Sequence, residues 1–306
     1  MHDIKGIKGR YPYIPLPVKL KAIVQLVRPF TLLTAFIAGF FTYLFAVNYL
    51  NQPHIFGYGV LCGLTMALLQ AGGQSFNQSV REEVEIDRAN GKTYRPTVSG
   101  IISLTEAKIT SLSLIIAGLI ISYIISFKFF IACIFIAFFA IFYTAPPLRV
   151  KRFFFANNLW QAVARGYLPF IAVFSIYYIP NEILLYAIIV MIYVIGAQTT
   201  KDFNDVEGDR KFGIRTVPVV LGFEKAVGFM MAFIVIAFII FNVSLSIGLI
   251  DRFFIVSYIP FFISIPMITS ITKSLKFTEN NISWVLYYIS LGLFYLLPSI
   301  TIMIWR

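Results

Sequence analysis

The sequence predicts an all-α membrane protein, with nine transmembrane helices in a bundle of two related halves. Three observations carry this. Of 306 residues, 59% are hydrophobic and only 13% charged, and mean hydropathy is +0.83; a soluble chain of this size needs far more polar surface. The apolar residues fall into nine runs of roughly the length that crosses the hydrocarbon core as a helix, about 20 residues, without the alternation of barrel strands. Two polar segments also match each other at a fixed offset.

The runs cover roughly residues 22–50, 56–76, 103–125, 127–145, 157–179, 182–200, 224–248, 252–271 and 282–305. Residues 1–21 form a polar, basic segment ahead of them. The first run is too long for a signal-peptide core, so it is expected to remain a membrane span. The third and fourth runs meet at a short turn near Ser126. No polar stretch is long enough for a separate soluble domain, so 1–306 reads as a single polytopic domain. Placing the N-terminus with the loops after even-numbered spans puts 21 of the 25 Lys and Arg on one side. Three fall on the other, and Arg165 lies inside the fifth run. The positive-inside rule then predicts a multi-pass cell-membrane protein with a cytoplasmic N-terminus and an outside C-terminus. The net charge of +11 has the same origin. Its basic residues are spread among loops, so no nucleic-acid partner is expected, and no obligate protein partner is evident. Cys62 and Cys133 lie in apolar runs without a CxxC neighbour, which argues against a disulfide or zinc site.

The acids are concentrated. Of 14, four are Glu82, Glu83, Glu85 and Asp87, and four are Asp202, Asp205, Glu207 and Asp209. Each group follows an even-numbered span. Segment 83–100, EVEIDRANGKTYRPTVSG, aligns without gaps on segment 205–222, DVEGDRKFGIRTVPVVLG, at an offset of 122 residues. Eight of 18 positions are identical, including Glu85/Glu207, Asp87/Asp209, Arg88/Arg210, Gly91/Gly213 and Pro96/Pro218. The chain therefore reads as two related halves sharing one site. Because the copies stand four spans apart they are parallel repeats, with their acids at one membrane face. That weighs against a transporter, the competing class, whose polar residues usually lie at the midplane.

Asp202, Asp205 and Asp209 are spaced i, i+3, i+7; on a helix they share one face over about 10 Å. Glu83 and Asp87 share a face at i, i+4. Eight acids in mid-bilayer would cost on the order of 20 kcal/mol, so they must line a wet cavity near the interface. Such clusters need cations. Hard oxygen ligands without Cys or His point to Mg²⁺, here two ions, which takes a few carboxylates plus phosphate oxygens. Glu83, Asp87, Asp202, Asp205 and Asp209 are the expected metal ligands and catalytic residues. Bases beside them are candidates to hold a phosphate: Arg88, Lys92 and Arg95 by the first cluster, and Lys201, Arg210, Lys211 and Arg215 by the second. Arg149, Lys151 and Arg152 follow the fourth span.

KDFNDVEGDRKFGIRTVPVVLG, 201–222, resembles the Asp-rich second motif of the UbiA superfamily of intramembrane prenyltransferases. NQSVREEVEIDR, 77–88, is similar to its Asn/Asp-rich first motif. Arg28-Pro29-Phe30-Thr31, NGKTYRP at 90–96 and YTAPPLRVKR at 143–152 extend the likeness over nearly the whole chain. The family step from Asn to the last Asp is eight residues, whereas Asn77 to Asp87 takes ten. In an unbroken helix Asn77 would lie about 120° from Glu83, so a bulge or loop must bring it back.

The resemblance implies nine helices and Mg²⁺ bridging a prenyl diphosphate, with the prenyl group passed to a lipophilic acceptor at the cytoplasmic face and the tail lying among lipid. It makes Asn77, Arg88, Arg95, Tyr143, Lys151, Arg165, Lys201 and Arg210 expected substrate-binding residues. Tyr143 and Tyr94 are candidates to shelter an allylic cation. Asn77-Gln78, Lys201-Asp202 and Arg165-Gly166 look like the homogentisate branch, which prenylates quinone precursors. YTAPPL looks more like the tetrapyrrole branch, and the ether-lipid branch, which prenylates a glycerol phosphate, is also close. Arg165 inside a span then binds an anionic acceptor or packs against a carbonyl.

Overall fold

Helix α1, Leu16–Val27, opens the chain of the computed structural model, which describes residues 14–273 and 281–305. Positions 1–13 of the basic N-terminal segment, 274–280 of the loop after the eighth run, and Arg306 lie outside them. The first predicted run is in fact two helices. Arg28, at φ 54°, ends α1, and Pro29 starts α2, Pro29–Tyr49; proline fits a first helical turn, where no amide bond is lost. Next come α3, Phe56–Ser79, the short α4, Arg81–Ala89, and α5, Leu104–Ile125. A reciprocal cap starts α5: Glu106 N–H donates to Ser103 Oγ at 3.1 Å, and Ser103 N–H donates to Glu106 Oε2 at 2.8 Å. Ser126 is the expected turn into α6, Phe127–Phe142.

The fifth run is α7, Ala156–Ala162, a π turn over Val163–Tyr167, and α8, Leu168–Phe174. Then follow α9, Asn181–Ala197, α10, Val206–Lys211, and α11, Val217–Leu221. The chain closes with α12, Phe223–Ser246, α13, Tyr258–Lys273, and α14, Ile282–Trp305. Among the described residues, seven helical segments rather than nine are long and apolar enough to cross a membrane. Phe127–Phe142 has only 16 residues, and the π turn at Arg165 interrupts the fifth run.

The repeat is visible in the backbone. Gly91 and its counterpart Gly213 have φ of 71° and 68°; Gly100 and Gly222 have 77° and 76°. These left-handed turns, cheap only for glycine, follow the two motifs identically. Packing repeats too: α3 lies against α5 as α9 lies against α12. Two large buried apolar cores result, beside a small one formed by Ala22, Leu26, Ile102 and Ala107. One large core joins α2, α3, α5 and α6, and the other joins α9, α12, α13 and α14, with α2 and α8 contributing to both. The outer faces stay apolar. Exposed Ile109, Leu112, Ile116, Ile120 and Tyr123 form one stripe along α5, as expected where the solvent is lipid and helices satisfy their own backbone groups. Cys62 and Cys133 are buried free thiols.

Candidate active site

A cavity open to solvent lies between the halves. One face of α3 walls it from Met66 through Leu69, Gln70, Gly73 and Gln74 to Asn77, a depth of about 16 Å at 1.5 Å per residue. Matching faces of α2, α6 and α14 complete the wall with Thr34, Ala38, Ile136, Phe139, Ala140 and Leu291. Its deep part therefore combines apolar side chains with the amides of Gln70, Gln74 and Gln161. Its mouth carries Asn77, Glu83, Asp87, Lys92, Arg95, Lys151, Lys201, Asn204 and Asp205.

Local breaks in the helices build this mouth. Val80, extended at φ −88° and ψ 121°, separates α3 from α4. The break places Asn77, Glu83 and Asp87 on one cavity despite the ten-residue step. Asn77 Oδ1 is buried there without a partner among the described residues. The second motif departs from the expected single helix face. After α9 the chain tightens to a 3₁₀ helix over Gln198–Asn204, breaks at Asp205, and resumes as α10. Asp205 lines the cavity, while Asp202 and Asp209, each 3% exposed, lie behind it.

The motifs brace each other. Gly208 N–H donates to Asn90 Oδ1 at 2.7 Å, and a Cβ at Gly208 would come within 2.5 Å of the Asn90 amide. Lys92 donates to Asp205 and lies 3.9 Å from Asp87, so one ammonium serves a carboxylate from each motif. Arg95 pairs with Asp87, and Lys151 with Glu83. Arg149 pairs with Glu82 and approaches Glu83 at 3.5 Å. A closed ring holds Asp202. Lys201 Nζ donates to Tyr143 OH at 2.6 Å, Tyr143 OH donates to Asn157 Oδ1 at 2.7 Å, and Asn157 Nδ2 donates to Asp202 at 3.3 Å. Lys201 itself lies 3.3 Å from Asp202.

Charge sets the protonation of these groups. Burial pushes Asp205 up, but Lys92, with Arg95 and Lys151, outweighs it and holds the carboxyl below its usual range. Burial dominates at Asp209, which is pushed up to about 7 with Asp205 and Asp202 adding to the effect. Lys151 is raised despite its burial, because Glu83 and Asp209 favour the ammonium. Burial lowers Arg95 to about 10, and neighbouring Arg28 adds to this. Among the described residues no three acidic, His or Cys side chains converge on one point, because bases stand between the carboxylates. The donor set fits a hard cation: it is all oxygen, and Lys92 already holds a positive charge between Asp87 and Asp205.

Arg88 and Arg210 were expected at the substrate, and the structure turns both outward. One residue beyond Asp87, Arg88 is rotated about 100° from the inward face and pairs with Glu85 at 2.6 Å. Arg210 has the same relation to Asp209. Tyr94 is 59% exposed and outside the cavity lining, whereas Tyr143 lines it. Arg165 also lines it: Nη1 donates to Tyr288 OH at 2.7 Å, its Cζ is 5.8 Å from that ring's centre, and its carbonyl accepts from Tyr295 OH. The π turn, a form frequent at functional sites, aims this side chain inward. Glu82, Asn90 and Asn157 escaped the sequence reading as positioning residues. The adjacent Asn157-Asn158 pair opening an apolar run was the available signal.

Fold and site together define a multi-pass membrane protein with two carboxylate motifs at the mouth of a cavity between its halves. The chain belongs to the UbiA prenyltransferase family, whose model matches residues 31–281. The expectation of an enzyme, a prenyltransferase, is thereby borne out. Digeranylgeranylglyceryl phosphate synthase of Thermococcus gammatolerans is 30% identical over 223 residues, 73% of this chain and 77% of that protein. Chloroplastic homogentisate solanesyltransferase of Arabidopsis thaliana is 32% identical over 181 residues, 53% and 44% of the two chains. A solved structure of a UbiA homologue from Archaeoglobus fulgidus bound to GPP and Mg²⁺ shares the fold. Its TM-score is 0.65 at 20% identity, over 92% of this chain and 99% of that one.

Proposed function

We propose that this protein transfers a polyprenyl group from a prenyl diphosphate to an anionic lipophilic acceptor, with Mg²⁺ as cofactor. The observation that carries the reading is the cavity itself, with carboxylates of two motifs and a set of bases at its mouth and with Met66, Leu69, Ala38, Ile136 and Phe139 on an inner wall that extends about 16 Å along α3. In this reading all nine runs span the cell membrane. The N-terminus and the site face the cytoplasm, the C-terminus lies outside, and 1–306 works as one domain.

Glu83 and Asp87 of one motif, with Asp202, Asp205 and Asp209 of the other, would hold two Mg²⁺. The bound metal supplies Lewis-acid stabilisation of the leaving diphosphate. Lys92, Arg95, Lys151 and Lys201 bind the diphosphate oxygens, and Asn77 adds a side-chain amide. Asn157 and Asn90 position Asp202 and the second motif. The apolar wall takes the prenyl tail and excludes water from an allylic cation as the carbon–oxygen bond loosens. Tyr143 presents a ring to that cation. Arg165, which has tyrosines and, among the described residues, no carboxylate beside it, receives the anionic head of the acceptor.

The named relatives support a glycerol phosphate ether lipid as acceptor, because digeranylgeranylglyceryl phosphate synthases match over about three quarters of their length. The homogentisate enzyme, matched over 44% of its length, supports the expected quinone precursor as the second reading. The test is an acceptor panel in detergent with Mg²⁺ and geranylgeranyl diphosphate, read by product mass. Product with a prenylglyceryl phosphate alone supports the first reading, and a prenylated homogentisate or hydroxybenzoate the second. A chlorophyllide product would overturn both, and diphosphate hydrolysis without transfer would overturn the transferase assignment of the site.

A further inference from the structure

Arg152 and Arg215 stand among the bases that flank the motifs in sequence, yet neither reaches the cavity. Both are exposed and line a second, open cleft with Pro146, Pro147, Leu148 and Phe153. The backbone joins the two sides of this cleft, since Arg215 N–H donates to the Arg152 carbonyl at 3.1 Å. Arg149 also borders it but is committed to Glu82 and Glu83. Among the described residues, Arg152 and Arg215 have no carboxylate within salt-bridge distance. Two guanidinium groups therefore remain available at one place, and guanidinium is the side chain best shaped to take phosphate oxygens in pairs.

The rim of the cleft is apolar. Phe153 is 57% exposed, Leu148 40%, and Phe154 and Phe155 are exposed beside them. Phe155 packs against Phe229 and Phe233 of α12, at centroid distances of 6.4 and 6.0 Å. Beyond those rings, on the same face of α12 at 100° per residue, stand exposed Ile236 and Val243, a face that belongs against acyl chains. The cleft thus stands where an apolar wall meets a basic rim, the arrangement of a membrane–water interface. A small soluble anion would use the charge but leave the aromatic rim in water. A phospholipid uses both. We propose that this cleft binds the phosphate of an anionic phospholipid, with its acyl chains lying along α12. The site is separate from prenyl transfer and does not rest on the acceptor's identity.

The test uses the full chain in detergent micelles with phosphatidylglycerol or phosphatidylcholine, and reads retained lipid by native mass spectrometry. The wild type should keep phosphatidylglycerol in preference to phosphatidylcholine. R152Q/R215Q should retain it roughly thirty-fold less tightly, at the interaction typical of two basic residues near an anionic surface. K21Q/K108Q, which removes two exposed cations elsewhere, should keep the preference. An unchanged preference in R152Q/R215Q overturns the proposal, as does an equal loss in K21Q/K108Q, which would make the effect one of general charge. Inorganic phosphate competing as well as the lipid would also overturn it, since the apolar rim would then contribute nothing. If the double variant does not fold, R152Q and R215Q singly should each show a roughly five-fold loss, and no loss in either refutes the site.

Discussion

Replacing Lys92 with methionine keeps the apolar stem and removes the charge. Lys92 is 7% exposed; its ammonium bonds Asp205 and lies 3.9 Å from Asp87. Removing one partner of a buried pair costs about 3–5 kcal/mol, most of it the penalty of the charge left behind. The Asp205 side chain is 27% exposed, so water relieves part of this, and about 2–3 kcal/mol is expected. If carboxylates of the two motifs share Mg²⁺, the ion restores a positive charge and the loss should shrink when it is added. Thermal unfolding of the purified variant and wild type, in chelator and in Mg²⁺, measures this. Lys92 also faces the proposed diphosphate, and a lost charge-assisted contact of about 1.5–3 kcal/mol raises KM for that substrate roughly ten- to hundred-fold. An identical destabilisation in both buffers, together with an unchanged KM, would refute the reasoning and leave Lys92 a structural base.

Asp202→Asn and Asp209→Asn should each abolish turnover while leaving helical content intact by circular dichroism; near-normal activity in either purified variant would remove the metal-site proposal. Arg165→Ala should raise KM for the acceptor by about ten-fold or more, as for one charge-assisted contact, and raise that for the diphosphate less; the opposite order would assign Arg165 to packing or to the diphosphate. In Gly208→Ala the new Cβ meets the Asn90 amide and breaks the brace between motifs, for a loss of about 1 kcal/mol in stability and a lower kcat. Combining it with Asn90→Ala should add little to either loss in a double-mutant cycle, and full additivity would mean the two residues act independently.

Membrane class, helical content, the turn at Ser126 and the paired motifs were legible in the sequence, because hydropathy and acid spacing are local properties. So was the repeat, whose matched glycines share left-handed turns. Hydropathy does not mark where the helix within an apolar run is interrupted. Arg28 divides the first run, Val80 breaks the first motif, Asp205 breaks the second, and a π turn interrupts the fifth run. Each break redirects the residues that follow it. That is why Asn77 rejoins Glu83 at the cavity and why Asp202 and Asp209 lie behind Asp205. It is also why adjacency in sequence misled for Arg88 and Arg210, whose one-residue offsets from inward acids turn them outward. The sequence alone determined which carboxylates gather at one face of a membrane bundle. Only the tertiary structure decided which bases meet them, because Lys92, Arg149 and Lys151 reach their partners across 113, 67 and 68 residues of chain, and packing of the two halves rather than local spacing closes those gaps.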